Sequence, residues 1–206
     1  MTTIILVRHA RSTWNDEAET SAVERFGGPM TQRPLSSSGE AQSRQLGRVI
    51  AGMEIQPAAF YASRAVRAIT TCRLSTGKDP QILGELAELS WGDWNGRSRD
   101  ILKEPDVAAA RSRDGFCFRP PNGESHDDVR KRAMRALWRI HSQQGDRDHV
   151  LVVTHQNFIK NVVRNSMRWR TLGELEAAKV DTCSFTTVKM IAPGRLDLVS
   201  FNQQTL

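Results

Sequence analysis

Thr3-Ile4-Ile5-Leu6-Val7-Arg8-His9 is the stretch that decides the fold, and Ala10-Arg11-Ser12-Thr13-Trp14-Asn15 comes directly after it. An unbroken run of Ile, Ile, Leu and Val predicts a strand buried on both faces, as in a parallel sheet. An Arg and a His arrive together where that strand ends. In open α/β sheets ligands bind beyond the carboxyl ends of the strands, so the pair stands at the usual ligand position. Val150-Leu151-Val152-Val153, followed by Thr154-His155, repeats the design. If the two strands are parallel neighbours, His9 and His155 meet at one sheet edge. A lone strand-end His is more often structural; two of them, one beside an Arg, point to a site.

Working outward, 206 residues with 39% apolar content suffice for one well-filled core and are read as a single domain, 1–206. No apolar run approaches the roughly 18 residues of a membrane span. No basic n-region with a cleavage site is seen, so the expected location is cytoplasmic, without membrane contact. Cys72, Cys117 and Cys183 are odd in number and far apart. They make no disulfide framework, and no CxxC or HxxxH spacing suggests a metal. The net charge is +6, which suits nucleic acid, a membrane surface or small anions. The densest basic cluster is Arg130, Lys131, Arg132, Arg135 and Arg139. It shares a helix with Val129, Ala133, Ala136, Leu137 and Ile140, so these cations are read as a solvated outer face. No nucleic-acid module accompanies them, and the expected partner is a small anionic molecule.

Along the chain, Ser12 caps a short helical turn through about Ala18, and residues 19–34 form a long loop broken by Gly27-Gly28-Pro29 and Pro34. A loop this long beside a site is usually functional. Glu40–Ala51 is a surface helix with its stripe at Ala41, Leu46, Val49 and Ile50. Ala58–Ala62 is a second strand, and Ser63 leads into a helix ended by Gly77 and Pro80. Of Arg64, Arg67 and Arg73, Arg67 stands one turn into that helix and is best placed to face the site. Residues 97–119 are charged and poorly periodic; they are read as a possible lid or rim (97–120) with a short helix at Asp100–Ala110. Ser125 and Asp128 have capping-box spacing at the start of a helix that runs to about Gln143, which makes His126 a first-turn surface residue. Phe158, Ile159, Val162 and Val163 give the next helix an apolar stripe. Cys183–Met190 and Arg195–Phe201 are two final strands joined by Pro193-Gly194, extending the sheet at an edge.

Arg8-His9, in the setting L-V-R-H-x-x-S-x-W-N, resembles the signature of the histidine phosphatase superfamily, the phosphoglycerate mutase-like fold. The remaining motifs resemble that family in order: Ser63, Arg67, Ala68 and Thr70; Leu86 to Gly96 with Glu88 at the catalytic-acid position; Pro121-x-Gly123-Glu124-Ser125; and Thr154-His155. Glu85 and Asp93 are the alternatives to Glu88, read as solvated or capping groups. The resemblance implies a three-layer α/β fold with a mostly parallel central sheet, one edge antiparallel, flanked by helices. The chain departs from the family pattern at Ala10 and Arg11, where Gly and an acid or amide are usual, and at Gln156, where Gly is usual. Arg11 reverses a charge near the site mouth, although a solvated role is its bland reading.

The chemistry expected of these residues is phosphoryl transfer. A phosphate ester carries about two negative charges at neutral pH, and Arg8 and Arg67 bind its oxygens with planar, always-charged forks. Those cations keep His9 neutral and able to attack phosphorus. His155, expected protonated, donates to the phosphate with Asn15, while Gln156 and Arg11 complete the expected substrate-binding set. Glu88 protonates the leaving alcohol and then activates water. Side chains supply the positive charge, so neither a metal nor another cofactor is expected. The reading is a metal-independent phosphomonoesterase acting on a small phosphorylated metabolite through a phosphohistidine. The alternatives are a phosphoglycerate mutase and a non-catalytic phosphate-binding regulatory module. Against the mutase, Leu89-Ser90-Trp91 stand where mutases carry an Arg and a Tyr; against the module, binding without turnover needs no Glu88.

Overall fold

Strand β1 (Thr3–Arg8) lies inside a six-stranded sheet, and Ile4, Ile5, Leu6 and Val7 are all buried. The structure, a computed structural model, describes residues 1–28, 32–145 and 149–204. The other strands are β2 (Ala59–Ala62), β3 (Gln81–Ile82), β4 (His149–Thr154), β5 (Phe185–Ala192) and β6 (Arg195–Gln203). Their order across the sheet is β3-β2-β4-β1-β5-β6. β1, β2, β3 and β4 pair in parallel, whereas β5 runs antiparallel to β1 and β6 to β5. This is the mostly parallel sheet with one antiparallel edge that the motifs imply.

Register sets up the site. Arg8 pairs with Thr154 and Ala62 with Val153. The next residues along the three strands, His9, His155 and Ser63, therefore emerge together at the carboxyl edge. The His9 N–H donates to the Thr154 carbonyl at 3.0 Å and the Ser63 N–H to that of Val153 at 3.2 Å, fastening these ends to one another.

Helices cover both faces. Ile4 and Leu6 face a core shared with α5 (His126–Gln144) and α6 (Gln156–Val163), including Leu137, Ile140, Phe158 and Val162. Ile5 and Val7 face α2 (Ser37–Ala51) and α3 (Val66–Thr76) through Leu46, Ile50, Ala68 and Cys72. Each buried aliphatic side chain on β1 contributes roughly 1.5–3 kcal/mol. A polar residue at any of them would also bury an unsatisfied group, at a further cost of about 1–3 kcal/mol. Among the described residues no helix is long and apolar enough to cross a membrane.

Several local expectations are corrected. α2 begins at Ser37, three residues early, because the Ser36 hydroxyl accepts the Gly39 N–H. α1 (Thr13–Thr20) runs two residues past Ala18, shortening the loop after it. Pro29, part of the reading of that loop, lies outside the described residues. Arg99–Lys103 winds as a 3₁₀ turn, and the true helix α4 is Pro105–Asp114, because Pro105, without an N–H, fits only the first turn. Val107 from this helix, with Ile101, Leu102 and Phe118 from its flanks, packs on a small apolar cluster of Phe26, Leu89, Trp91, Trp94 and Val129. Cys183 lies in a turn at φ +59°, just before β5, with its N–H on the Arg8 carbonyl.

Two polar residues of α5 expected at the surface are not there. His126 is buried, and its Nδ1 lies 2.9 Å from Asn161 Nδ2 on α6. The signal for this is weak in the sequence: a first-turn position faces the core or the solvent depending on a phase that Asp127 and Asp128 obscure. Arg132 does not join the solvated stripe. Its guanidinium pairs with Glu124 at 2.7 Å and donates to the carbonyls of Glu85, Ala87 and Glu88 at 2.8–3.0 Å.

Candidate active site

Arg8, His9, Arg67, Glu88, Asn15, Arg11 and Gln156 line one open cavity of about 510 Å³ at the carboxyl edge of the sheet. His155 is buried beside His9, with its ring centroid 5.1 Å from that of His9. Every site residue expected from the sequence is in this one region, although they come from strands β1 and β4, three helices and an irregular loop.

Hydrogen-bond partners fix both imidazole tautomers. The Ala10 carbonyl can only accept, so His9 Nδ1, 2.8 Å away, carries the hydrogen. Its Nε2 then holds a lone pair, which accepts from Arg67 Nε at 3.1 Å. Arg67 also reaches His155 Nδ1 at 3.3 Å; a guanidinium only donates, so that nitrogen accepts and His155 Nε2–H donates to the Ser63 hydroxyl at 2.7 Å. Burial, then the Arg67 and Arg8 charges, hold His9 well below the usual imidazole range. Burial, then Arg67, His9 and Arg8, do the same to His155. His155 is therefore neutral in this arrangement, because two arginines already stand against it; the protonated ring expected from the sequence is that of the phosphate-bound site.

The remaining groups are held from outside. Arg8 Nη1 donates to the Val180 carbonyl at 2.6 Å, while its Nε is buried without a hydrogen-bond partner among the described residues. Thr71 Oγ1 accepts the Ala10 N–H at 3.0 Å, so the Thr that supports the nucleophile is one residue beyond the Thr70 assigned from the motif. Asn15 Oδ1 accepts from the Ser12 N–H and hydroxyl, which leaves its NH₂ end as the donor at the cavity wall. Gln156 opens α6, so its side chain reaches the cavity while the helix N-terminus points the next N–H inward.

Glu88 is gripped from both sides. The Leu89 N–H donates to Oε1 at 2.8 Å and the Asn157 N–H, at the start of α6, donates to it at 3.2 Å. Behind it, Arg132 clamps three carbonyls of the acid loop, and Glu124 accepts the Ser90 N–H at 3.0 Å. The Pro-x-Gly-Glu-Ser motif is thus a brace for that loop. Gly92 is required in it: φ is +56°, and a Cβ would stand 2.0 Å from the Pro121 carbonyl oxygen. Of the alternatives, Glu85 pairs with Arg139 on the surface and Asp93 accepts from Asn122. Neither reaches the histidines.

Arg11 stands at the mouth, but its guanidinium is spent on α1, pairing with Asp16 at 2.7 Å and Glu19 at 2.6 Å. Hydrogen bonds to Glu19 and Asp16 push its pKa up. Sequence reading missed Trp14, Trp91, Arg25 and Arg99, which also line the cavity. Arg99 is brought there by aromatic packing, with its guanidinium 5.3 Å from the Phe26 ring centre, and no motif marks it.

A model of the histidine phosphatase superfamily (branch 1) matches residues 4–204. The chain belongs to that superfamily. Its relatives there include phosphatases and mutases alike. It is 29% identical over 205 residues to a metal-independent phosphoserine phosphatase from Arabidopsis thaliana, covering 96% of this chain and 82% of the relative. It is 27% identical over 172 residues to a 2,3-bisphosphoglycerate-dependent phosphoglycerate mutase from Rhizobium etli, covering 79% and 78%. Among solved structures it resembles a phosphoserine phosphatase from Entamoeba histolytica (TM-score 0.82, 22% identity, 100% of both chains). It also resembles YhfR from Bacillus stearothermophilus (TM-score 0.79, 26% identity, 99% of this chain and 98% of that one). The fold is therefore phosphoglycerate mutase-like.

The buried imidazoles carry a consequence for acid stability. Burial, with the charges of Arg164 and Lys160, pulls His126 down to about 4. Above pH 6.5 the imidazole is neutral folded and unfolded, and nothing is lost. As pH falls from 6.5 towards 4 only the unfolded chain takes up the proton, so stability falls by about 3 kcal/mol from His126 alone. His9 and His155 act with the same sign. Urea unfolding at pH 7 and 4.5 should show this loss, with a shallower one in His126→Gln. Equal slopes in both proteins would refute the assignment.

Proposed function

We propose that the protein is a metal-independent phosphomonoesterase that hydrolyses a small phosphorylated metabolite through a phosphohistidine on His9. The observation that carries this reading is the lone pair on His9 Nε2. It is fixed by the Nδ1–H bond to the Ala10 carbonyl and lies beside Arg67 in a cavity that also holds Arg8 and Glu88.

A phosphoryl group entering the cavity meets the forks of Arg8 and Arg67 and the amide of Asn15. Arg67 transfers its donors from the His9 ring to the phosphate oxygens, which uncovers the nucleophile at the moment of binding. The new negative charge favours protonating His155, making it a further donor. His9 Nε2 attacks phosphorus as the ester oxygen departs with the proton of Glu88. In the second step Glu88 takes a proton from water, whose oxygen attacks phosphorus and releases inorganic phosphate and free His9. Donors already in place stabilise the charge of both transition states.

A phosphoglycerate mutase uses the same nucleophile but must exclude water while its substrate turns over in the pocket. This cavity is open, and Trp91 and Asp93 stand after the acid instead of a polar carboxylate grip. The assay is to measure release of phosphate and interconversion of 2- and 3-phosphoglycerate in one preparation, with chelator, with and without bisphosphoglycerate. Phosphate release from an ester panel should exceed isomerisation by a wide margin. Isomerisation faster by tenfold, about 1.4 kcal/mol in barrier, would replace the phosphatase reading with the mutase one.

A further inference from the structure

Lys160 is a charged side chain that the mechanism above does not use. It lies on α6 and is 1% exposed. Its Nζ makes one hydrogen bond among the described residues, to the Glu176 carbonyl at 3.1 Å, and no ion pair. That carbonyl belongs to the last turn of α7 (Leu172–Ala177), where backbone acceptors lack helical partners. Arg111 holds the Glu176 carboxylate at 2.7 Å, so the residue is gripped by its side chain from outside and by its carbonyl from within. Four residues further on, the Val180 carbonyl holds Arg8 Nη1. In the other direction along α6, one turn before Lys160, the Asn157 N–H holds Glu88.

We propose that Lys160 is a positioning residue for the phosphate site, a buried cation that fixes the Glu176–Val180 segment so that the Val180 carbonyl holds the Arg8 fork in its binding orientation. This deepens the phosphatase reading and rests on it for the identity of the bound group. A neutral side chain of similar volume would fill the same space without the cost of burying an ammonium, and that cost is what makes a lysine at this position informative. Burial pulls the Lys160 ammonium down to about 8, opposed by Glu88, pushed further by Arg8, opposed by Glu176 and pushed again by Arg99. His126, on α5, also faces this charge. Between pH 8 and 10.5 only the unfolded chain keeps the proton, so stability rises with pH across that window, and below pH 8 the buried charge weighs against folding.

The test compares wild type, Lys160→Met and Lys160→Arg by melting temperature at pH 7 and 10, kcat/KM on an aryl phosphate, and competitive inhibition by inorganic phosphate. Lys160→Met should melt higher than wild type at pH 7, with the gain shrinking at pH 10. It should nonetheless lose about 10- to 100-fold in kcat/KM, the scale of a displaced binding group, and bind phosphate more weakly. Lys160→Arg keeps a donor and a charge and should recover most of that loss. A Lys160→Met protein that melts lower or does not fold marks a merely structural lysine and overturns the proposal. So does one whose kcat/KM and phosphate inhibition stay within twofold of wild type. A wild type that turns over no phosphate ester, but whose phosphate binding is weakened in Lys160→Met, overturns the phosphatase reading and leaves this one standing.

Discussion

His9→Ala should lose on the order of 10⁴–10⁶-fold in turnover, the scale seen when a covalent nucleophile is removed, while still binding inorganic phosphate. The two halves of this expectation have separate causes. Turnover goes because no other group offers a lone pair at that position: His155 Nε2 carries the hydrogen donated to Ser63, and the charge of a bound phosphate favours protonating its Nδ1. Binding persists because Arg8, anchored on the Val180 carbonyl, does not depend on His9. The change also releases Arg67 Nε from its bond to His9 Nε2, so phosphate meets one more donor. Rapid quench with a ³²P-labelled ester should find acid-labile, base-stable label on wild type and none on the variant. Near-normal turnover in His9→Ala would remove His9 from the mechanism and return the chain to the class of phosphate binders whose chemistry lies elsewhere.

Much of this site is legible in the sequence because its parts sit at strand ends. The runs Ile4–Val7 and Val150–Val153 declare buried parallel strands, and the residue after such a strand has nowhere to go but the carboxyl edge. His9 and His155 can be placed together on that ground alone, and Arg67 joins them from one turn into the helix that follows the second strand. Two misreadings on α5 have a different cause: they concern residues with partners far off in sequence. Arg132 looks like one more cation on a basic helix, since its partners are carbonyl groups 44–47 residues away and leave no mark on the pattern. His126 is hidden the same way, polar by type yet buried against Asn161 of another helix. α4 is shifted because Asp100 resembles a helix start, whereas Pro105 supplies the real one.

Glu88→Gln should divide substrates by leaving group. The exchange is nearly isosteric, and a Gln Oε1 can still accept the Leu89 and Asn157 N–H groups. The transferable proton disappears, and with it the base. For alkyl phosphates the leaving alkoxide needs that proton, so the first step should slow by about 10²–10⁴-fold, the usual scale of general acid catalysis. For an aryl phosphate the phenolate leaves without help, and the first step should be nearly spared. The second step still needs Glu88 as base. The variant should therefore release one equivalent of phenol in a burst and then stall as the phosphohistidine, a state the wild type passes through too quickly to accumulate. A small nucleophile such as azide or formate, which needs no deprotonation, should restart it. Equal losses on both substrate classes with no burst would count against the acid–base role. Glu88 would then be a structural carboxylate at the start of α6, and the proton would have to come from some other group in the cavity.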